Sequence, residues 1–267
     1  MRLLAFSDIH HNLVAVRKLR ASETNAFDAI VVAGDIGSAS AGEFFKILST
    51  FKCPVLYVFG NWDHELSYGK SYGSDCHLLH SNVVTIGGIH FTGFSGCPTN
   101  WGKNPIARRI FTNLGKTDTA RIRLAKSSIL KLNRESVRKA IRNASVDPRK
   151  CVVVTHERLA RLSEEIPGTL LHLFGHIHSY SDQIYKGTRY VDVAALDRPV
   201  PVRPRAKKRW AIEDCRNVNA GNYVTIEFSS SQEMSARCVY MRREYPDWLP
   251  LEGSRAFGKD WIPEEKR

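Results

Sequence analysis

Short, fully apolar runs, each stopped by a Gly, Asp, His or Asn, recur along the first half of this chain, and they constrain its fold more than any other feature. Leu3-Leu4-Ala5-Phe6-Ser7 ends at Asp8, Ala29-Ile30-Val31-Val32-Ala33 at Gly34-Asp35, and Pro54-Val55-Leu56-Tyr57-Val58-Phe59 at Gly60-Asn61. Runs of this length with no polar alternation suit strands buried on both faces. Between them lie helical patterns: Leu13, Val16 and Leu19 on one face behind a capping Asn12, then Glu43 to Thr50. Strand, polar loop and helix in alternation predict parallel βαβ units. Val83–Ile86 and Ile89–Phe94, separated by Gly87-Gly88, read as a hairpin with a two-residue turn.

From Trp101 to Asn143 the pattern is helical, with Ile122, Ala125, Ile129 and Leu132 and then Val137, Ala140 and Ile141 at three and four spacing. Strand patterns resume at Cys151–Thr155, Leu170–Phe174, Gln183–Tyr185, Arg189–Val193, Tyr223–Phe228 and Arg237–Met241, and this second half looks antiparallel. The expected organisation is an α/β domain over residues 1–241, interrupted by a basic helical insertion at about 101–148. An aromatic extension, 242–267, carries Tyr245, Trp248, Phe257 and Trp261 and is expected to pack on the body.

Charge is unevenly distributed. The net charge is +12, and residues 103–150 alone hold 14 Lys/Arg against 3 Asp/Glu. A second stretch, 198–209, adds six Lys/Arg and no acid, with prolines at 199, 201 and 204 that predict a stiff exposed arm. Such segments are either solvated faces or sites for anions, so a nucleotide or nucleic acid is a possible partner. No apolar run reaches the ~18 residues of a membrane span. The N-terminal apolar stretch meets Asp8 with no small-residue cleavage site, which predicts a cytoplasmic protein. Cysteines at 53, 76, 97, 151, 215 and 238 show no paired metal-binding spacing and read as buried small hydrophobes or spare thiols. The aromatic tail and the basic helices each offer a surface for an oligomer contact.

The chemistry collects just past the ends of the expected strands: Asp8 and His10, Asp35, Asn61 with Asp63 and His64, His156, and His176 with His178. Carboxyl ends of strands are where open α/β sheets bind ligands. Carboxylate, imidazole and amide oxygen together suit divalent first-row metals, while a structural zinc knot would need thiolates. In Gly175-His176-Ile177-His178, strand alternation would direct both imidazoles to one side.

Taken in order, Ser7-Asp8-Ile9-His10, Gly34-Asp35-Ile36-Gly37, Gly60-Asn61-Trp62-Asp63, Thr155-His156 and Gly175-His176-Ile177-His178 resemble the motifs of the calcineurin-like metallophosphoesterases. The resemblance covers about residues 1–195, less the basic insertion. It implies a four-layer αββα sandwich of two mixed sheets and a site for two divalent ions, Mn, Fe, Ni, Co or Zn. By motif, Asp8, His10 and His178 would hold one ion, Asn61, His156 and His176 the other, and Asp35 would bridge them. A metal-bridging hydroxide would then attack a phosphate ester.

The family's third motif commonly carries a histidine where this chain has Trp62. That histidine contacts substrate and is a source of the leaving-group proton. The change points to a phosphodiester with a stable leaving group, and makes His64 a neighbouring candidate acid unless it is only a surface residue. Trp62 either stacks on a nucleobase or plugs its loop, and Trp101 and Trp210 are open to the same two readings. Trp62 and Asp63 are the candidate substrate contacts. His11 stands where a related branch has glycine, and either reaches a substrate phosphate or faces solvent. Glu157 either orients an imidazole or is a helix first-turn acid. Two further functions remain: a nuclease or nucleotide phosphodiesterase using the basic segments, and a non-catalytic scaffold on the same fold, against which the complete ligand set argues.

Overall fold

The computed structural model describes residues 1–63, 65–97, 119–193, 195–196, 199–201, 218–229 and 233–241. His64, Trp101 with the first part of the basic insertion, Trp210 with most of the basic arm, and the aromatic tail lie outside them. Among the described residues no helix is long and apolar enough to cross a membrane.

The three early apolar runs form β1 (Arg2–Phe6), β2 (Ala29–Val32) and β3 (Val55–Tyr57), mutually parallel in the order β1-β2-β3. A short β4 (Cys76–Leu78) continues the sheet beyond β3, and β13 (Asn222–Phe228) and β14 (Met234–Tyr240) extend it antiparallel beyond β1. The connections are α1 (Leu13–Ser22) and α2 (Ala41–Ser49). Asn12 caps α1 as its sequence suggests, its side chain accepting from the Ala15 amide at 3.1 Å.

The second sheet has the order β5-β6-β7-β8-β10-β9, from β5 (Val83–Ile86), β6 (Ile89–Phe94), β7 (Cys151–Thr155), β8 (Leu171–Phe174), β9 (Ser181–Tyr185) and β10 (Thr188–Asp192). Gly87 and Gly88 both take positive φ, as the two-residue β5–β6 turn requires. The second half is less antiparallel than its sequence suggests. Strands β6, β7, β8 and β10 run parallel, and only the outer strands β5 and β9 are reversed within this sheet. Pro199–Pro201, expected in a stiff arm, forms β11 and pairs with β12 (Val218–Ala220) in a small ribbon.

Alternation along each strand sorts the apolar side chains into three cores. Leu4, Phe6, Ile30, Val32, Val55 and Tyr57 pack under α1 and α2 against Val16, Leu19, Phe44 and Phe45. Leu3, Ala5, Ala29, Val31 and Leu56 face the other sheet and meet Phe91, Val152, Val154, Leu171 and Leu173. On the far face, Cys151, Val153, Phe174 and Tyr190 receive Val137 and Ile141 of α3 (Thr119–Asn143) and Leu162 of α4 (Leu162–Glu165). The result is helix, sheet, sheet, helix: an α/β four-layer sandwich. The described part of the basic segment is thus an outer layer of the domain, with Ile129, Val137 and Ile141 inward and Arg123, Lys126, Lys131, Arg138, Lys139 and Arg142 exposed.

Candidate metal centre

Main-chain contacts draw the strand ends together. The amides of Ile9 and His10 both donate to the Asp35 carbonyl, at 2.8 and 3.0 Å, and the Gly175 amide donates to the His156 carbonyl at 3.0 Å. Glycine is needed where the loops touch. A Cβ on Gly60 would lie 2.1 Å from Asp35 Oδ1, and one on Gly175 would lie 2.2 Å from Ser7 Oγ. Asp8, His10, Asp35, His176 and His178 all have left-handed φ, between 45° and 73°. Such conformations are costly in residues other than glycine and concentrate at functional sites. They also correct the expectation for Gly175-His176-Ile177-His178: the two histidines lie past the end of β8, on left-handed turns rather than on a strand.

Each buried carboxylate divides its oxygens between scaffold and site. Asp8 Oδ2 accepts from Ser7 Oγ (2.6 Å) and the His176 amide (3.0 Å). Its Oδ1 lies 2.8 Å from His178 Nε2 and 3.8 Å from His10 Nε2, and no hydrogen bond of normal geometry satisfies it. Asp35 Oδ1 accepts from the Trp62 amide at 2.8 Å, while Oδ2 lies 3.1 Å from His10 Nε2 and 3.3 Å from His156 Nε2. Beyond Asp35, His156 Nε2 is 3.1 Å from Asn61 Oδ1 and 3.2 Å from His176 Nδ1. All seven motif residues therefore converge, in two groups that meet at Asp35 Oδ2.

The electrostatics ask for cations. Burial works to raise both aspartates, but His178 chiefly for Asp8, and His156 and His10 for Asp35, hold them well below the ordinary carboxylate range. Burial works to lower His156, yet Asp35 and Asp8 push it up to about 10, so protonated imidazole takes the balancing role in the metal-free protein. Burial and then His156 push His176 down to about 4, leaving it a neutral donor. His156 Nδ1 donates to the Ala33 carbonyl at 2.8 Å, an arrangement that directs Nε2 into the site. His176 Nε2 lies 3.3 Å from Glu157 Oε2, the orienting contact that its sequence position allowed. Clustered acceptors, one of them the orphaned Asp8 Oδ1, and outward-anchored imidazoles fit divalent ions.

The remaining sequence candidates separate. Asp63, expected to contact substrate, is instead buried, with Oδ1 accepting from the Gly37 amide and Oδ2 from the Gly60 amide, both at 2.8 Å. Burial and then Asp35 push it up to about 6, against the pull of those amides. Its work is to hold the Asp35 and Asn61 loops together. Trp62 is half-buried, its ring edge-on to His10 at 4.8 Å and to His11 at 6.2 Å between centroids. His11 Nδ1 is 3.1 Å from Ser40 Oγ, so the ring is held in the wall beside Trp62 rather than free in solvent. One residue was missed by sequence reasoning: Cys97, fully buried, donates from Sγ to Asn61 Oδ1 at 3.3 Å. Its signal was positional, three residues past the end of β6, in the same kind of loop that carries the motif side chains.

A profile of the calcineurin-like phosphoesterase superfamily domain matches residues 1–217. The chain belongs to that family. Among solved structures, this phosphoesterase-family chain is similar to TT1561 of Thermus thermophilus, at 15% identity over 88% of this chain and 97% of that one, with a TM-score of 0.57. It is also similar to a conserved uncharacterized protein, a predicted phosphoesterase, of Streptococcus pneumoniae (12% identity, 90% and 88% covered, TM-score 0.42). A third likeness is to phosphopantetheinyl hydrolase of Mycobacterium tuberculosis (16% identity, 72% and 88% covered, TM-score 0.43). No curated protein sequence matches the chain.

Proposed function

We propose that this chain is a dinuclear metal-dependent phosphoesterase that prefers diesters. Asp8, His10 and His178 would hold one divalent ion, Asn61, His156 and His176 the other, with Asp35 Oδ2 between them. The observation that carries this reading is the position of that oxygen, 3.1 Å from His10 Nε2 and 3.3 Å from His156 Nε2, with its partner oxygen already held by the Trp62 amide. Bound dications would ionise water and neutralise the phosphoryl oxygens in an in-line displacement. The protein's own part is to fix the donors: His156 is aimed by the Ala33 carbonyl, His176 by Glu157, and Asp8 by Ser7 and the His176 amide.

Diester preference is supported by Trp62. An indole N–H is a donor that does not ionise near neutrality, so it cannot hand a proton to a poor leaving oxygen. A diester with a stable leaving group tolerates that loss. Within this reading His11 contacts the substrate phosphate from beside Trp62, and His64 is the neighbouring alternative acid.

Hydrolysis of bis-p-nitrophenyl phosphate beside p-nitrophenyl phosphate, on metal-stripped protein with manganese, nickel or zinc restored, tests the proposal. Metal-dependent turnover favouring the diester supports it; faster monoester turnover overturns the preference. No turnover with two ions bound turns the reading to a scaffold.

A nucleotide or nucleic-acid diester is the favoured substrate class, on one observation. Burial raises the Glu157 carboxyl, and His156 and then Lys126, on the exposed basic face of α3, oppose that rise, which puts that face within electrostatic reach of the Glu157 that orients His176. Binding to single-stranded DNA or RNA that weakens steeply with salt would agree. Salt-insensitive or absent binding would leave small diesters. Cys53, Cys76, Cys97, Cys151 and Cys238 stand as thiols rather than disulfides, which suits a reducing compartment, and we assign the protein to the cytoplasm on that ground.

A further inference from the structure

We propose that Cys97 supplies a thiolate ligand to the ion held by Asn61, His156 and His176, so that the two metal positions differ in chemistry as well as in place. The proposal rests on the dinuclear reading above. Cys97 Sγ and one ring nitrogen each of His156 and His176 lie within 4.8 Å of one another, and Sγ is 3.3 Å from Asn61 Oδ1. With bonds of ~2.3 Å to sulfur and ~2.0–2.1 Å to nitrogen, donors around one ion stand roughly 3–4 Å apart, so little movement closes this set. Asn61 is buried with Nδ2 unpaired, and its amide is defined by what Oδ1 faces: the Cys97 thiol and His156 Nε2.

The loop that carries the thiol is fixed on three sides. The Phe59 amide donates to Ser95 Oγ at 3.0 Å, the Ser95 amide donates to His80 Nδ1 at 3.1 Å, and Asn133 Nδ2 on α3 donates to the Gly96 carbonyl at 2.7 Å. A Cβ on Gly96 would lie 2.2 Å from Asn133 Oδ1, so a larger residue would displace the side chain that makes this bond. The thiol is thereby preorganised by rigid elements.

On ion binding the S–H bond breaks, a sulfur–metal bond forms, and the proton leaves to solvent. A soft, anionic donor here favours zinc, cobalt(II) or iron over manganese or magnesium. The position built from Asp8, His10 and His178 has only nitrogen and oxygen donors and lacks that bias.

The test is cobalt(II) titration of the metal-stripped full chain, followed by absorption and by bound-metal analysis, for wild type and Cys97→Ser. The wild type is expected to bind two cobalt ions and to develop one equivalent of sulfur-to-cobalt charge transfer in the near ultraviolet. Cys97→Ser should lose that band, keep both ions, and bind one of them about tenfold or more weakly. Two bound ions without the band in wild type would overturn the inference while leaving the dinuclear reading intact. Survival of the band in Cys97→Ser would also overturn it. No bound cobalt would overturn both.

Discussion

Asp35 is the residue on which both halves of the site depend, because one of its oxygens is spent on the Trp62 amide and the other faces His10 and His156 together. Asp35→Asn keeps the shape and removes the charge. It should lower kcat/KM by ~10³-fold or more, about 4 kcal/mol of transition-state stabilisation, with metal analysis showing the loss of at least one ion. Near wild-type turnover with both ions retained would refute the bridging role. Trp62 invites the opposite experiment. Trp62→His restores a group able to hand over a proton, and should raise monoester turnover relative to diester turnover by ~10-fold or more, a part of the ~10²–10⁴-fold that a fully positioned general acid contributes. An unchanged ratio in paired assays of the two nitrophenyl esters would mean that the indole does not set the preference. The seven motif residues were legible because each is a ligating type placed after a strand. Cys97 was not, because a lone buried cysteine has the same sequence signature as a small hydrophobe.

At the scale of elements, legibility followed burial. Strands β1, β2, β3 and β7 are buried on both faces, so their sequences are nearly continuous apolar runs that no other element of that length imitates. The edge strand β4, Cys76-His77-Leu78, carries no such run and was unreadable; only its pairing with β3 makes it a strand. The direction of β10 was hidden for a different reason. The turn after β9 signals a reversal, but parallel pairing with β8 depends on partners distant in sequence. Helix α3 gave its period but not its place. The structure makes it an outer layer packed on β6, with Val137 and Ile141 in the core that Phe94 and Val153 share, and ties it to the Gly96 loop through Asn133. Asn133→Ala should therefore act at two distances. Loss of the buried bond to the Gly96 carbonyl should cost ~1–3 kcal/mol in urea unfolding, and the metal affinity of the neighbouring site should fall. A stability loss with unchanged metal affinity would mean that α3 supports the fold but not the site.

For the molecule as a whole, three cores separate four layers, and a histidine buried among them makes stability depend on pH. His172 is on β8, fully buried, and touches Phe174 and Tyr190; Nδ1 donates to the Val153 carbonyl at 3.2 Å while Nε2 accepts from the Leu159 amide at 3.0 Å. Burial pushes its pKa down to about 3, with Arg158 adding to the fall and the Val153 contact opposing it. A proton on Nε2 would destroy the bond to Leu159, so the folded protein keeps this ring neutral. The unfolded chain takes up the proton below its ordinary value of about 6.5. Between about 6.5 and about 3 the unfolded state thus binds more protons than the folded one, and stability falls as pH is lowered through that window; above it, His172 contributes no pH dependence. The slope from this one group approaches ~1.4 kcal/mol per pH unit. His176, held down to about 4, also changes its charge relative to the unfolded chain in this range, so the measurement is a difference: urea unfolding of metal-free wild type and His172→Gln from about pH 7.5 to about pH 5, a span that brackets the ordinary imidazole value. Glutamine can keep a donor and an acceptor without titrating. The variant should be less stable at the alkaline end but lose stability more slowly below about pH 6.5, and the two curves should converge as the solution is acidified. Parallel curves would mean that His172 takes up its proton in the folded state, and that the core over β7 and β8 is open enough to accept a charge.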